Sequence, residues 1–419
     1  MDKLLTISLY NSILTILRMV SSLVIAKSVA IYGGPTGLAM LGQIQSLLGI
    51  ANGIVSAPLG NGLVHYTARQ IGDPNSCAPW WKASFKISII NTTLIASVLL
   101  IYSTELSILL FKTDEYRIII VALGFAVPFA ALNSLISSVI NGQLRYERYI
   151  LLGIKAAILS TCFVLYFIAF HKVVGALFSV AVSMVVSSLI MLYGERNEAW
   201  LDRKFWLGKT NYIFIKDIAK FAALATITSI LLPLSIFYIR GIIINSFGWE
   251  QAGYWQAINK ISDIYVSLIT ISFGTYYIPS LSSMGNKKDR IKEIRQNLQL
   301  IIPITIFFSI IVYCFGGKIL TLLYDEKFSE VGELLLFQVV GDVFRVMSWF
   351  FSCPLISYDK ANLLILAEFI FSITFVSLSV LAISKFGLHG APIAYALSYA
   401  LFSILMLIIL IDSTKKLKA

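Results

Sequence analysis

The chain has 419 residues, of which 58% are hydrophobic and only 13% charged, with a mean hydropathy of +0.83 and a formal net charge of +11. Soluble domains carry about 25% charged residues, so the composition excludes an ordinary soluble protein and leaves no stretch long enough for a second, soluble domain. Long unbroken apolar runs also exclude a transmembrane barrel, whose strands alternate over segments of about 10 residues.

About 20 consecutive apolar residues span the hydrocarbon core as a helix. Twelve such segments are predicted, at 4–31, 38–66, 81–103, 117–141, 149–170, 173–193, 218–245, 252–280, 297–316, 331–356, 361–383 and 389–411. The expected fold is an all-α polytopic membrane protein. The first segment is too long for the 7–15-residue core of a signal peptide and carries Arg18 at its middle, so it reads as an uncleaved span. The second, "LAMLGQIQSLLGIANGIVSAPLGNGLVHY", is rich in glycine and contains Pro58, the pattern of a helix that bends or packs closely.

The longest connection, "GERNEAWLDRKFWLGKTNYIFIKD" at 194–217, divides the chain into lobes at 1–193 and 218–419, each with six segments. Six is even, so both lobes start on the same side of the membrane, and any relation between them is a parallel repeat about an axis along the membrane normal. Sliding by 216 positions pairs Gly37 with Gly253, Gln43 with Asn259, Ser46 with Ser262 and Ser56 with Ser272.

Charge inside the membrane costs at least about 2.5–3.5 kcal/mol per residue, so buried charges are functional candidates. Arg18 has no acid three or four residues away. In "GYWQAINKISDIYVSLITISFGTYYIP" at 253–279, Lys260 and Asp263 lie three apart, on one face of the eighth helix. Two readings stay open for them, mutual neutralisation and a wet path for an anion. Asp342 and Arg345 repeat the spacing in "QVVGDVFRVMSWF" on the tenth helix, and Glu368 lies in "LILAEFIFS" on the eleventh. An Asp342–Arg345–Glu368 structural cluster is expected, with a coupling-ion role as the alternative. Arg240 and Lys155 sit near helix ends, where cavity and snorkelling roles are equally open. Five such bases against three acids imply a cationic cavity, hence an anionic substrate such as a phosphate-bearing lipid.

With the N-terminus placed in the cytoplasm, twenty Lys and Arg fall on the cytoplasmic side and six on the other: Lys112, Arg117, Lys172, Lys318, Lys327 and Lys385. Both termini are therefore expected inside, and the basic surplus is a topology signal rather than a mark of nucleic-acid binding. The run "GNKKDRIKEIRQ" at 285–296 reads as a solvated loop, with binding of anionic headgroups as the alternative.

No P-loop lysine follows "GGPTG" at 33–37, and HExxH is absent. His65, His171 and His389 are scattered at segment ends, and Cys77, Cys162, Cys314 and Cys353 show no CxxC spacing. No metal, cofactor or disulfide is expected. Outer loops of about 15 residues or fewer argue against a membrane enzyme acting on lipid-linked sugars, which would hold its catalytic groups there.

"YGGPTGLAMLGQIQSLLGIANGIVSAPLGNGLVHYTA" at 32–68, "GYWQAINKISDIYVSLITISFGTYYIPSLSSM" at 253–284, "FQVVGDVFRVMSW" at 337–349 and "LILAEF" at 364–369 resemble the Wzx flippases of Gram-negative bacteria. These belong to the multidrug/oligosaccharidyl-lipid/polysaccharide (MOP) exporter superfamily and include the flippase of the enterobacterial common antigen lipid intermediate. The resemblance implies two six-helix lobes, MATE-like, that alternate access to a central cationic cavity. Its implied cargo is an oligosaccharide on undecaprenyl pyrophosphate, such as an O-antigen repeat unit, moved from the cytoplasmic to the periplasmic leaflet of the inner membrane with coupling to an ion gradient. Membrane lipids, an O-antigen polymerase and a chain-length regulator are the partners it implies. On this reading Arg18, Arg240 and Lys260 hold the pyrophosphate, while Gln43, Gln45, Asn52, Gln256 and Asn259 face the sugars. Asp263 keeps Lys260 or Arg240 charged and is the candidate for a coupled proton, with Asp342, Arg345 and Glu368 as the remaining charge cluster. A drug antiporter of the same superfamily would need an acidic cavity, and a polymerase of lipid-linked sugars an outer-face catalytic site.

Overall fold

In a computed structural model, which describes residues 2–284, 286–357 and 361–416, the chain is built from helices, with no strand among the described residues. Lys360 and Lys418, which contribute to the charge bias, lie outside the described residues. Among the described residues twelve α-helices run in chain order: α1 (Asp2–Ser56), α2 (Asn61–Arg69), α3 (Pro74–Ile101), α4 (Ser103–Phe111), α5 (Arg117–Gly142), α6 (Tyr146–Glu195), α7 (Tyr212–Phe247), α8 (Trp249–Ser283), α9 (Lys287–Leu323), α10 (Leu335–Ser357), α11 (Ala361–Phe386) and α12 (Gly390–Lys416).

These twelve are not the twelve predicted segments one for one. α1 holds the first and most of the second, broken at Gly34, whose φ of 60° lies in the left-handed region that glycine enters freely. Pro35 follows at once, with its φ set for starting a new helix. At Pro58 the chain passes through a short 3-10 turn, Ala57–Leu59, before continuing as α2, which is the bend expected there. α6 holds the fifth and sixth segments, folded back at Lys172, a non-glycine residue with φ 50°. Its two halves form an antiparallel hairpin: Ser160 Oγ lies 3.1 Å from Ser187 Oγ, and Leu152 packs on Gly194. The turn is tight enough that a Cβ on Gly175 would sit 2.0 Å from the Phe167 carbonyl oxygen. α4, read from the sequence as outer loop, is a nine-residue helix too short to span.

Eight stretches among the described residues are long and apolar enough to cross a membrane, and three of them, Ser12–Arg69, Tyr146–Glu195 and Asn362–Thr414, each contain two predicted segments. α8, which holds the eighth predicted segment, is 35 residues long. The chain is a multi-pass, all-α membrane protein.

Its helices gather into two compact units. One comprises residues 1–33 and 40–234, the other 34–39 and 235–419. In the first, α3, α5 and the α6 hairpin enclose a core of Leu59, Leu63, Trp81, Ile136, Ile140 and Met191. The stretch 194–217 is folded onto that core. Trp200, Phe205 and Trp206 are buried, the Trp206 ring stacks on Trp81 at 5.1 Å, its Nε1 donates to the Trp200 carbonyl at 2.8 Å, and Thr210 Oγ1 donates to the Pro79 carbonyl at 3.0 Å. At the base of the hairpin Glu195, fully buried, accepts from Arg145 and Arg148, each at 2.9 Å.

In the second unit α10 packs against α8, α9 and α12. Phe350 stacks on Tyr277 at 4.5 Å. Two glycines permit close approach: a Cβ on Gly341 would lie 2.3 Å from the Tyr395 ring, and one on Gly253 would lie 1.9 Å from the Pro35 carbonyl oxygen.

Candidate functional sites in the two units

In the first unit, the two halves of α1 meet α5 and the α6 hairpin around a cavity of about 320 Å³. Arg18, Ser21, Ser22 and Gln45 come to it from α1, Asn133 from α5, and Ser160, Thr161, Ser179, Ser183 and Ser187 from α6. A neighbouring cavity of about 490 Å³ shares Asn133, Ser183 and Ser187 and adds Asn52, Ser56 and Ser134. Among the described lining residues Arg18 is the one charge.

The sequence explains these walls. Gln45 and Asn52 are seven residues apart, two helical turns, and so share a face. Gln43 falls on another side of the helix and is buried in packing, away from both walls. Gly153 makes room for Leu14, one turn before Arg18, because a Cβ there would lie 2.9 Å from Leu14 Cδ2. Asn133 Oδ1 has no hydrogen-bond partner among the described residues and is available to a guest. Sequence reasoning missed Asn133 and the serines. The signal available was the four-residue repeat of serine at 179, 183 and 187 in "SVAVSMVVSSL", which puts a hydroxyl stripe on one helix face. An arginine fork amid hydroxyls and amides can hold a phosphoryl group bidentately and present neutral hydrogen-bonding groups to a polar body beyond it.

The second unit brings together most of the remaining candidates. Arg240 on α7 is 2% exposed; its Nη2 donates to Gln256 Oε1 at 2.7 Å, and its guanidinium lies 5.8 Å from the centre of the Trp255 ring. Asn259 is committed to packing: Nδ2 donates to the Trp255 carbonyl at 3.0 Å and Oδ1 accepts from Gln338 Nε2 at 3.3 Å. Lys260 is partly buried on α8.

Here the direct contacts differ from the expected ones. Asp263 accepts from Arg345 Nη1 at 2.8 Å across α8 and α10, while lying close enough to Lys260 to interact with it electrostatically. Asp342, fully buried, is held by hydroxyls: Oδ2 accepts from Ser262 Oγ at 2.7 Å and Tyr265 OH at 2.6 Å, and Oδ1 from Tyr395 OH at 2.7 Å. Tyr395 OH also accepts from Arg345 Nη1 at 3.3 Å, so Asp342 and Arg345 are linked through a phenol. Glu368 makes no ion pair among the described residues, so the cluster expected of Asp342, Arg345 and Glu368 is instead Asp342, Tyr395, Arg345 and Asp263. The physical reason is reach. The Arg345 fork spans to the neighbouring helix, where Asp263 is 53% exposed and costs less to pair than a sealed carboxylate. No group of three or more His, Cys, Asp or Glu side chains placed to hold a metal occurs among the described residues, and all four cysteines are thiols.

Residues 78–333 match a family described as "polysaccharide biosynthesis protein". The chain is 25% identical over 417 residues to the lipid III flippase of Escherichia coli (strain K12), a match covering 94% of this chain and 95% of that protein. Among solved structures, an inward-facing multidrug resistance MATE family transporter of the MOP superfamily gives a TM-score of 0.83 at 16% identity, covering 95% of this chain and 96% of that one. A MOP superfamily transporter from Pyrococcus furiosus, whose binding pocket is described as reversed in polarity, gives 0.71 at 17% identity over 99% and 96%. At such identities the two structures establish a shared MOP fold.

Proposed function

The chain belongs to the polysaccharide biosynthesis protein family, and we propose that it is a flippase carrying an undecaprenyl-pyrophosphate-linked oligosaccharide, such as an O-antigen repeat unit, from the cytoplasmic to the periplasmic leaflet of the bacterial inner membrane. The observation that carries this reading is the first unit's cavity, where Arg18 is the one charge on a wall of hydroxyls and amides. That wall suits an anionic head followed by a sugar. The match to a lipid III flippase along nearly the whole of both chains supports the same substrate class.

In this reading Arg18, with Arg240 and Lys260 in the second unit, holds the pyrophosphate. Gln45 and Asn52 meet the sugars in this reading, since they line the cavities, whereas the side chains of Gln43, Gln256 and Asn259 are buried in packing or held by neighbours. Lobes at 1–193 and 218–419 alternate access, with both termini in the cytoplasm. Asp263, the exposed member of its ion pair, is the group for a coupled proton. Asp342, sealed by three hydroxyls, holds α8, α10 and α12 together. The drug-antiporter alternative rests on fold likeness at 16% identity, and its acidic cavity is opposed by the cationic lining around Arg18.

The test is complementation of a strain lacking its O-unit flippase, at matched expression, with surface polysaccharide read on a gel. Wild type restores the polysaccharide ladder, and Arg18→Ala lowers it at least about tenfold, the loss of roughly 1.5–3 kcal/mol expected for one charge-assisted contact. Restoration by Arg18→Ala at the wild-type level would remove the cavity from the mechanism. Failure of the wild type in several hosts making different O-units would turn the reading toward drug export.

A further inference from the structure

A further concavity lies on the other side of the α6 hairpin from the Arg18 cavity, with a different lining. It is a groove of about 910 Å³ whose far wall is apolar, formed by Ile158, Leu159, Phe163, Leu189 and Ile190. Ile158 is 51% exposed and Leu189 49%, so these side chains are presented outward rather than packed in the core. The end of the groove away from the Lys172 turn carries Arg148, Lys155 and Arg196.

Two of the three cations at that end, Lys155 and Arg196, carry charge that no ion pair among the described residues compensates. No carboxylate lines the groove. Glu195 is buried and taken by Arg145 and Arg148, Glu198 is taken by Arg145, and Glu147, in the first turn of α6, is not among the residues lining the groove. Arg148 spends Nε on Glu195 and Nη2 on the Gly194 carbonyl, and its Nη1 has no partner among the described residues. Arg196 lies 4.0 Å over the Tyr193 ring, and neither it nor Lys155 has an ion pair among the described residues. The sequence left Lys155 open between cavity and snorkelling; the structure puts it on this outer groove and off the Arg18 cavity.

The dimensions fit a lipid. At about 1.5 Å per residue, Phe163 lies roughly 12 Å along the helix from Lys155 and roughly 22 Å from Arg148. Half of a hydrocarbon core is about 15 Å. A headgroup seated among the three cations therefore leaves one leaflet's depth of apolar wall for its chains. Basic pockets between membrane helices with apolar walls beyond them are built to hold anionic headgroups.

The geometry points to a binding site for an anionic phospholipid on the outer face of the α6 hairpin, its phosphate held by Arg148, Lys155 and Arg196 and its acyl chains laid along Ile158, Leu159 and Phe163. The bound lipid braces the open side of a hairpin whose turn is strained at Lys172 and whose base is pinned by Glu195. This inference needs only that the chain sits in a bilayer, so it stands or falls separately from the flippase reading.

The test is titration of the purified full chain, in neutral detergent, with phosphatidylglycerol and with phosphatidylcholine of the same acyl chains. Bound lipid is counted by native mass spectrometry, and the unfolding midpoint is followed in parallel. Phosphatidylglycerol binds and raises the midpoint, whereas phosphatidylcholine does neither. Lys155→Gln with Arg196→Gln weakens phosphatidylglycerol about thirtyfold, the product of two headgroup contacts. Lys204→Gln with Lys209→Gln, outside the groove, leaves it unchanged. Leu159→Trp, which fills the apolar wall, weakens it without altering charge. Equal binding of phosphatidylcholine, equal binding of glycerol phosphate without chains, or no effect of the paired glutamines would each overturn the site. Displacement of phosphatidylglycerol by polyprenyl phosphate at equal concentration would give the groove to a substrate lipid instead.

Discussion

Asp263 and Asp342 lie on adjacent helices, and the same charge plays two different parts. Asp342 is fully buried with three hydroxyl donors aimed at it; removing the carboxylate leaves the hydroxyls of Ser262, Tyr265 and Tyr395 without their acceptor. A buried polar group left unpaired costs about 1–3 kcal/mol, so Asp342→Ala is expected to destabilise by at least about 2 kcal/mol. Asp263 is half exposed, and a solvated ion pair is worth about 0–1 kcal/mol. Asp263→Ala should therefore leave the unfolding midpoint in detergent nearly unchanged while lowering transport. The opposite ranking, Asp263→Ala unfolding earlier than Asp342→Ala, would refute the assignment. Every charge in this network stood out in the sequence, because charge is rare and costly in apolar helices. Tyr265 and Tyr395 did not, because tyrosine is common in membrane segments and nothing local marks one that will meet a carboxylate 50 or more residues away.

Helix breaks follow local chemistry where glycine and proline supply it. The second predicted segment starts after "GGPTG", and Gly34 and Pro35 divide α1 there. The break at Lys172 is of another kind, since an ordinary L-residue takes a positive φ only when the two packed halves of the hairpin impose it. α4 falls between two predicted spans, since nine residues are too few to cross the bilayer, a limit that says nothing about forming a helix. Close packing at glycine gives an element-level test in the second unit. Gly253→Ala would place a Cβ 1.9 Å from the Pro35 carbonyl, a backbone clash that no rotamer relieves, whereas a Cβ on Gly241 meets nothing within 4 Å. Gly253→Ala should destabilise by about 1–3 kcal/mol, and Gly241→Ala should be neutral or stabilise by about 0.5–1 kcal/mol. Thermal unfolding of the two purified variants reads both; equal effects would mean that Gly253 is not a contact point between α8 and residues 34–39.

For the whole molecule, the distribution of lysine and arginine argues that both termini lie in the cytoplasm. Alkaline phosphatase fused after Lys209 or at the C-terminus should be inactive, and fused after Lys385 active; the reverse pattern would invert the topology and with it the direction assigned to transport. The sequence by itself determined the class of the protein, the number of apolar segments, the folding back between them and the identity of the charges that must be sheltered. Each of those follows from residue type and from a solvent that penalises unpaired polar groups wherever they occur along the chain. Tertiary structure alone decided which partners the charges take: Asp263 with Arg345, Asp342 with three hydroxyls, Arg240 with Gln256. It also decided that Gln45 and Asn52 face a cavity while Gln43 is buried. Those choices depend on helix rotation and on the few ångströms separating side chains of distant segments, which are fixed by packing between helices and leave no trace in the spacing along any one of them.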